Sequence, residues 1–552
     1  MNLFRKKSIE DVTAGSSHPL QKHLGVRDLT AFGIAAIIGA GIFSTIGKAS
    51  YDGGPGVIFL FIFTALACSC AAFAYAEFAS MMPVSGSAYT YSFVAFGELF
   101  AWIIGWALIM EYAIGNVTVA ISWSDYFTAL LENAFHYHLP TWLSMDYFTA
   151  RTQYLASFHT VGRNDGLEAF TTAPLLGGYP LIFDAPALLI NILITILVYR
   201  GIRESRNASN IMVAVKLLIV ILVIVVGAFY VDTTNWHPFL PNGIPGLLKG
   251  ISAVFFAYIG FDAISTTAEE CRDPQRDLPR GILYSIIICT VLYVVIALVI
   301  TGMVHYSELN LGDPLAYVFE KIKSLQWLSG VIAISAVVAM ASVMLVFQLG
   351  QPRIWMSMSR DGLLPAAFAK IHPKYHTPGF STIITGLMVG IPIFFIDATT
   401  VTDICSAGTL FAFCLVCGGV LRLSVQPGYT PKFKTPYVNS QFIVPILFLA
   451  AVTWILSSDA VRANWLVPMG SAAFWAMVPQ YLFLIGFLWF SVLCFKHKFS
   501  LIPALGLLSC FYMLSQLGLR NWLYFSGWLV AGLVIYFAYG YRHSKLAQKS
   551  TT

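Results

Sequence analysis

The sequence predicts an all-α polytopic membrane protein with fourteen membrane-spanning helices. Of its 552 residues, 58% are hydrophobic and only 11% are charged, a balance that fits a membrane protein far better than a soluble enzyme of two or three domains. A spanning helix needs about 20 predominantly apolar residues. Fourteen such runs, separated by short polar connections, follow one another along the chain.

The predicted spans are numbered helix 1 to helix 14 in chain order. Their expected positions are about 28–50, 57–79, 99–130, a run ending at 199, 210–230, a run centred on 255–262, 281–304, 327–351, 381–396, 402–423, 442–456, 474–495, 501–517 and 522–541. The basic segments, including the tail that follows helix 14, fall mostly on the side of the N-terminus. This positive-inside bias predicts cytoplasmic termini in a cell (inner or plasma) membrane. It also accounts for the net charge of +5, so no nucleic-acid partner is expected.

The chain is expected to divide into five parts. These are a cytoplasmic N-terminal segment 1–27, a five-helix unit 28–231, a second unit 244–423, helices 11 to 14 within 441–541, and a cytoplasmic tail 542–552. The first unit carries an external insert at 132–183, rich in Tyr, Phe, His and Gly and without a span of its own. We expect this insert to form a lid and assign no chemistry to it. A strongly basic loop at 200–206 is expected on the cytoplasmic side.

Two spans contain candidate breaks. Gly39 and Gly41 lie two residues apart in helix 1, and each interior glycine costs about 1 kcal/mol of helix stability relative to alanine. A second break is expected in helix 6, within 255–262. Backbone groups freed inside a bilayer must be satisfied by protein, water or a polar ligand. Because five helices separate the two breaks, helix 1 runs outward and helix 6 inward. That arrangement fits an inverted repeat with a binding site at mid-membrane.

Few ionisable residues lie well inside the spans. They are Glu111 in helix 3, Lys216 in helix 5 and Asp262 in helix 6. Charges are costly in hydrocarbon, so each residue indicates either function or a buried structural network. Glu77, near the cytoplasmic end of helix 2, is expected at a gate or an interface. None of the eleven histidines falls mid-span, and no cofactor or metal site is expected.

Four stretches resemble one family, the amino acid/polyamine/organocation transporter superfamily, in its cationic amino acid transporter branch and that branch's bacterial relatives. They are Ile-Gly-Ala-Gly-Ile-Phe from position 38, Tyr-Ala-Glu-Phe-Ala-Ser-Met-Met-Pro from 75, Phe-Ala-Tyr-Ile-Gly-Phe-Asp from 256 and Met-Ser-Arg-Asp-Gly-Leu-Leu-Pro from 358. The resemblance implies a leucine-transporter-type fold in which helices 1 to 5 and 6 to 10 form the 5+5 inverted repeat. The remaining four helices are additional, and helices 11 and 12 look inserted relative to twelve-helix members.

The resemblance also implies an L-amino acid substrate, and the two breaks suit one. The outer half of helix 1 begins at the break with free N–H groups and a positive dipole end, which favour a carboxylate. The outer half of helix 6 ends at its break with free carbonyls, which suit an ammonium group. The expected substrate-binding residues are Ile38, Gly39, Ala40, Gly41, Ile42, Phe256, Ala257, Ile259 and Met340.

Two of these positions have consequences for selectivity. The family often places a threonine where this chain has Ala40, so any contact there must come from the backbone. Met340 in helix 8 resembles the family position that faces the substrate side chain, and a bulky apolar residue there favours small or neutral substrates. Ordinary packing on a membrane helix is the alternative interpretation of Met340.

In related carriers a lysine in helix 5 stands beside the helix 1 break, where sodium-driven members of the fold hold sodium. Lys216 is expected in that place. Burial favours the uncharged amine, so this lysine can exchange a proton, and its charge excludes sodium by repulsion. We therefore expect a proton-coupled, sodium-independent transporter in membrane lipid. An amino acid exchanger and a nutrient sensor without net transport remain open. An enzyme is disfavoured because no catalytic motif is found, and a channel because no continuous polar stripe is found.

Overall fold

The computed structural model describes residues 3–8, 24–82, 84, 86–157, 165–200, 205–375, 377–426, 429–457, 462, 465 and 467–549. This part of the chain is almost entirely helical. Its one sheet is a two-stranded hairpin that pairs Leu175–Leu176 with Tyr179–Pro180. Most of the predicted N-terminal segment, 9–23, and most of the predicted basic loop, 201–204, lie outside the described residues.

Helix 1 is interrupted, as the paired glycines predict. It runs over Val26–Ile37, resumes as a π-helical turn at Gly41–Thr45 and continues over Ile46–Gly53. Helices 2 to 5 are Val57–Met81, Glu98–Phe135, Ala185–Arg200 and Ser205–Ala228. A short helix, Ser87–Ala95, lies between helices 2 and 3. The described part of the external insert contains the helices Tyr147–Ser157 and Asp165–Thr172 and the hairpin. A small core of its own centres on Ala150, Ala169 and Ile182.

Helix 6 is also interrupted. It contains Gly243–Lys249 and Ile251–Phe256, a turn at 257–260 and a 3-10 helix at Phe261–Glu270. Helices 7 to 10 are Pro274–Met303, Gln326–Arg360, Gly379–Ile393 and Ala398–Ser424. Helices 11 to 14 are Ile443–Ser457, Ala472–His497, Leu501–Gln516 and Gly518–Ile535, the last continuing to His543 through a π-helical turn.

Among the described residues, nine helical segments are long and apolar enough to cross a bilayer. Four further apolar helices have 10–17 residues: Ala185–Arg200, Gly379–Ile393, Ile443–Ser457 and Leu501–Gln516. Helix 6 lies at the centre of the helix bundle and helix 14 at its periphery. The apolar window of helix 6 at Ile251–Ala268 is 100% buried, whereas that of helix 14 is only 22% buried. The helices confirm a multi-pass membrane protein. The count of fourteen and the 5+5 pairing stay predictions.

The predicted ends differ most for helices 7 and 8. Helix 7 begins at Pro274 rather than near 281, and helix 8 continues to Arg360 rather than ending near 351. Both extensions carry charged or polar residues. The prediction followed apolar character, which ends at the membrane surface, whereas the backbone helix continues beyond it.

The described chain ends lie on the same side of the bundle. The Arg5 guanidinium is 3.8 Å from the Glu98 carboxylate at the start of helix 3. The same carboxylate accepts a 2.6 Å hydrogen bond from the Ser544 hydroxyl. The two described ends of the chain therefore meet at the start of helix 3.

Glu77 lies at an interface between helix 2 and the segment that follows helix 10. Its side chain is buried, and its carboxylate accepts a 2.7 Å hydrogen bond from the Tyr429 hydroxyl and a 2.9 Å bond from the Thr435 N–H. The Ser80 hydroxyl, one turn on, accepts from the Phe433 N–H at 3.1 Å. These contacts hold segment 429–435 against the bundle.

We predict that Glu77→Ala releases this segment. Hydrogen bonds to a charged group contribute about 1.5–3 kcal/mol each, so trypsin should cleave after the exposed Lys432 and Lys434 at least about tenfold faster. The measurement is limited proteolysis of the purified protein followed by mass spectrometry. Glu320→Ala, which removes an exposed carboxylate from a distant short helix, is the control. Equal cleavage rates in wild type and Glu77→Ala would contradict the assigned role.

Candidate functional site

The two interrupted helices touch at their breaks. A Cβ atom added to Gly41 would lie 2.4 Å from the Cα atom of Ala257 in helix 6. Gly260 has a φ of +117°, and a Cβ atom there would lie 3.0 Å from the carbonyl oxygen of Ala36 in helix 1. The close approach requires glycine at both positions, and at Gly260 the backbone conformation requires it as well. The sequence predicts two breaks, and the structure brings them into direct contact.

The helix 1 break leaves backbone donors free. Among the described residues, the N–H groups of Gly39, Ala40 and Gly41 donate no hydrogen bond. The first N–H groups that do, those of Ile42 and Phe43, bond back to the Gly39 carbonyl at 3.1 and 3.2 Å. The outer half of helix 1 thus begins with three unpaired donors at the positive end of its dipole, an arrangement that attracts an anion.

The helix 6 break leaves backbone acceptors free. The helix ends at Phe256, whose carbonyl accepts only a 3.2 Å bond from the Ile259 N–H. Within the described part of the chain, the carbonyls of Ala257, Tyr258 and Ile259 accept no hydrogen bond. The first of these residues, Ala257, packs directly against Gly41 of helix 1. One small region therefore offers donors for an anion and acceptors for a cation.

Lys216 occupies the inner end of the helix 1 break. Its side chain is fully buried, and Nζ donates hydrogen bonds to the carbonyls of Ala35 at 2.9 Å and Ile38 at 2.8 Å and to the Ser342 hydroxyl at 3.2 Å. The Tyr293 hydroxyl of helix 7 donates to the Ile37 carbonyl at 2.9 Å. Side chains of helices 5 and 7 thus satisfy the carbonyls at the end of the inner half of helix 1.

Met340 lies beside the same break. Val343, one turn along helix 8, packs against helix 1 so tightly that a Cβ atom on Gly39 would lie 2.5 Å from its Cγ2 atom. Residues three apart share one face of a helix, so Met340 is on the side of helix 8 that meets helix 1. Its side chain is fully buried. Both interpretations of Met340, selection and packing, are compatible with this position.

The two buried carboxylates face different neighbours. Asp262 accepts a 3.1 Å hydrogen bond from the Tyr112 hydroxyl. Glu111 lies toward helix 10, where the Cys405 thiol donates to its backbone carbonyl at 3.5 Å, and its Oε2 atom has no partner among the described residues. Within that same part of the chain, no hydrogen bond or ion pair joins Lys216 to either carboxylate. The structure therefore does not bring the three predicted residues into one directly bonded network.

Four polar residues near the breaks escaped the sequence analysis. Tyr112, Tyr293 and Ser342 make the contacts given above. Asn116, one turn from Tyr112 on helix 3, is fully buried, and both atoms of its amide lack partners among the described residues. These side chains lie inside the predicted spans, but the prediction rested on ionisable residues and not on hydroxyl or amide groups. Like ionisable residues, hydroxyl and amide groups inside predicted spans indicate a functional site or a buried polar contact, and their transfer into hydrocarbon costs less free energy.

Two family models match this chain. A family model described as "Amino acid permease" matches residues 24–487, and one described as "C-terminus of AA_permease" matches residues 500–544. The chain belongs to the amino acid permease family. Its place is in the amino acid/polyamine/organocation superfamily, among the cationic amino acid transporters and their bacterial relatives.

Three similar proteins show the range of names among these permeases. The branched-chain amino acid permease BcaP of Bacillus subtilis is 36% identical and covers 99% of each chain. The methylthioribose transporter of the same organism is 39% identical over 83% of this permease and 93% of its own length. The vacuolar cationic amino acid transporter 4 of Arabidopsis thaliana is 35% identical over 77% of this permease and 68% of its own length. All three names are those of transporters or permeases.

We predict that Gly41→Ala separates the two breaks and destabilises the permease. The added methyl group meets backbone rather than a flexible side chain, and overpacking costs about 1–3 kcal/mol. The measurement is the melting temperature of the purified protein in detergent. Gly527→Ala in helix 14 is the matched control, because a Cβ atom there has nothing within 4 Å. Equal melting temperatures for the two variants would show that the Gly41 contact is not required.

Proposed function

We propose that this permease is a secondary active amino acid transporter, proton-coupled and sodium-independent, that works by alternating access. The observation that carries the proposal is the contact between Gly41 and Ala257, which joins a segment with unpaired N–H groups at 39–41 to a segment with unpaired carbonyls at 257–259. A zwitterion presents an anion to the first set and a cation to the second, and both of its charges would otherwise be costly to desolvate. The proposal includes fourteen spans, the 5+5 repeat and cytoplasmic termini in the plasma membrane.

The substrate site comprises Ile38 to Ile42, Phe256, Ala257 and Ile259, read through the backbone, with Met340 beside them. Backbone groups recognise the part that all amino acids share. Selection among amino acids therefore falls to side chains around the site. The relative named for methylthioribose, a sugar without a carboxylate, favours a second candidate substrate class, and the competition experiment below separates the two classes.

A free L-amino acid should compete for the site far better than its methyl ester. Esterification removes the anion that the three N–H groups meet, and losing one charge-assisted hydrogen bond costs about 1.5–3 kcal/mol, which weakens binding by at least about tenfold. The measurement is inhibition of labelled alanine uptake into proteoliposomes by alanine, alanine methyl ester and methylthioribose. An ester as potent as the free acid would refute the carboxylate assignment. Uptake of labelled methylthioribose that excess alanine does not inhibit would favour the second class.

Small or neutral amino acids should be transported in preference to arginine and lysine, because Met340 presents a bulky apolar side chain at helix 8. Met340→Ser should widen the range of accepted side chains, whereas Met388→Ser, on the outer helix 9, should not. Uptake rates of labelled alanine and arginine in wild type and both variants provide the measurement. Faster arginine than alanine uptake by wild type, unchanged in Met340→Ser, would contradict the prediction.

Lys216 is the proposed proton-coupling residue. When charged, it binds the Ala35 and Ile38 carbonyls and holds the inner half of helix 1; when it loses its proton, these contacts weaken and helix 1 is free to move. Lowering the external pH should therefore drive accumulation in wild type. Lys216→Ala should abolish accumulation driven by an imposed proton gradient, while exchange of labelled for unlabelled substrate persists.

The control is Ser342→Ala, which removes one of the three Lys216 contacts and should retain proton-driven accumulation. Preserved exchange in Lys216→Ala also shows that the variant is folded. Uptake that requires a sodium gradient and ignores a proton gradient would overturn the coupling proposal. Counterflow in wild-type proteoliposomes separates a carrier from a nutrient sensor, since a sensor shows none, and accumulation without internal substrate separates net uptake from obligatory exchange.

A further inference from the structure

An open groove runs along the outside of the bundle, away from the contact between the breaks. Its volume is about 560 Å³, and its walls are the inner half of helix 1, helix 5 and helix 7. Helix 5 contributes Val213 and Leu217, which flank Lys216 in sequence, and helix 1 contributes Ile34, which precedes Ala35. The groove therefore lies directly behind the contact between Lys216 and helix 1.

One end of the groove is basic. Arg27, in the first turn of helix 1, and Arg280, near the start of helix 7, both line it and are exposed. The starts of the two helices are held at one level by a parallel bridge between Leu24 and Cys271, with the Arg272 N–H donating to the Leu24 carbonyl at 3.0 Å. Among the described residues, neither lining guanidinium forms a hydrogen bond or an ion pair.

The other end of the groove is apolar. Ile34 lies seven residues beyond Arg27, and Ile288 lies eight beyond Arg280. At 1.5 Å per residue these positions are about 10–12 Å deeper along their helices. Tyr284, midway between Arg280 and Ile288 on helix 7, is half exposed. The groove thus changes from two cationic groups at the membrane surface to an aliphatic channel inside the bilayer.

We propose that this groove binds an anionic glycerophospholipid from the leaflet on the side of the chain ends. Its phosphate lies between Arg27 and Arg280, since guanidinium groups bind phosphate through paired N–H donors. One acyl chain follows Ile34, Leu217 and Ile288. A soluble anion would leave the apolar channel empty. A zwitterionic lipid also carries a phosphate, but its choline cation offsets that charge, so two guanidinium groups favour a lipid with net negative charge. The bound lipid joins the inner half of helix 1 to helix 7, and the proposal does not depend on what the permease transports.

The test is lipid retention by the full-length protein. Wild type is reconstituted in equal amounts of phosphatidylcholine and phosphatidylglycerol and then extracted, and the retained lipid is counted by native mass spectrometry. We expect selective retention of one phosphatidylglycerol. Arg27→Gln and Arg280→Gln should each weaken retention about fivefold, the effect of one basic residue at an anionic surface. Arg542→Gln, an exposed arginine at the same side on helix 14, is the matched control and should retain lipid like wild type.

Ala31→Trp tests the apolar part with both arginines intact, because the indole fills the groove at a lining position. Loss of phosphatidylglycerol in this variant and in the two arginine variants supports the site. Three outcomes overturn it: equal retention of both lipids by wild type, an equal loss in Arg542→Gln, or full retention in Ala31→Trp. The last would mean that the headgroup binds at the surface without entering the groove. Circular dichroism and monodispersity of each variant establish that it is folded.

Discussion

The hydrogen bonds between Lys216 and helix 1 are the constraint on which the rest of the site depends. An interrupted helix inside a bilayer exposes carbonyls on one side of the break and N–H groups on the other, and each unsatisfied group costs several kcal/mol. Here protein side chains bond three carbonyls on that side, with Lys216 from helix 5 on Ala35 and Ile38 and Tyr293 from helix 7 on Ile37. The N–H side, at 39–41, remains unpaired among the described residues. The carbonyl side of the break is thus bonded by protein side chains, whereas the N–H side is not.

Contact with helix 6 places a segment with free carbonyls beside the segment of helix 1 that has unpaired N–H groups. The free carbonyls at 257–259 belong to a turn that Gly260 holds in a left-handed conformation against Ala36. Free donors and free acceptors come from different helices, yet the two helices approach through backbone atoms at Gly41 and Ala257. At the point of closest approach the nearest side chain is the Ala257 methyl group, so the segment with unpaired donors and the segment with unpaired acceptors lie next to each other. Only the few residues from 35 to 41 separate the Lys216 contacts from this region along helix 1.

The sequence predicted the break in helix 1 and the start of the break after Phe256 closely, because glycine spacing and local helix propensity act within a few residues. It did not predict which side chains would complete the site. Tyr112 meets Asp262, Tyr293 meets Ile37 and Ser342 meets Lys216 only because of how their helices are rotated and packed, and none of these pairs is close in sequence. The same limit applies to Glu77, whose partners lie more than 350 residues away. The predicted ends of helices 7 and 8 failed for a different reason, since apolar character marks the membrane and not the helix.

The backbone groups at the two breaks do not determine which substrate a permease of this family binds, as the differing names of its relatives indicate. Proteins named for branched-chain amino acids, for methylthioribose and for cationic amino acids are 36%, 39% and 35% identical to this permease. Overall identity at this level therefore does not rank one substrate above another. Unpaired backbone groups hardly distinguish one ligand side chain from another. Differences in substrate selectivity must therefore come from the protein side chains that surround them. Met340, on the side of helix 8 that meets helix 1, is the side chain proposed above for this role. A permease that holds its shared contacts in the backbone can change its substrate by altering those side chains while Lys216 and both breaks stay as they are.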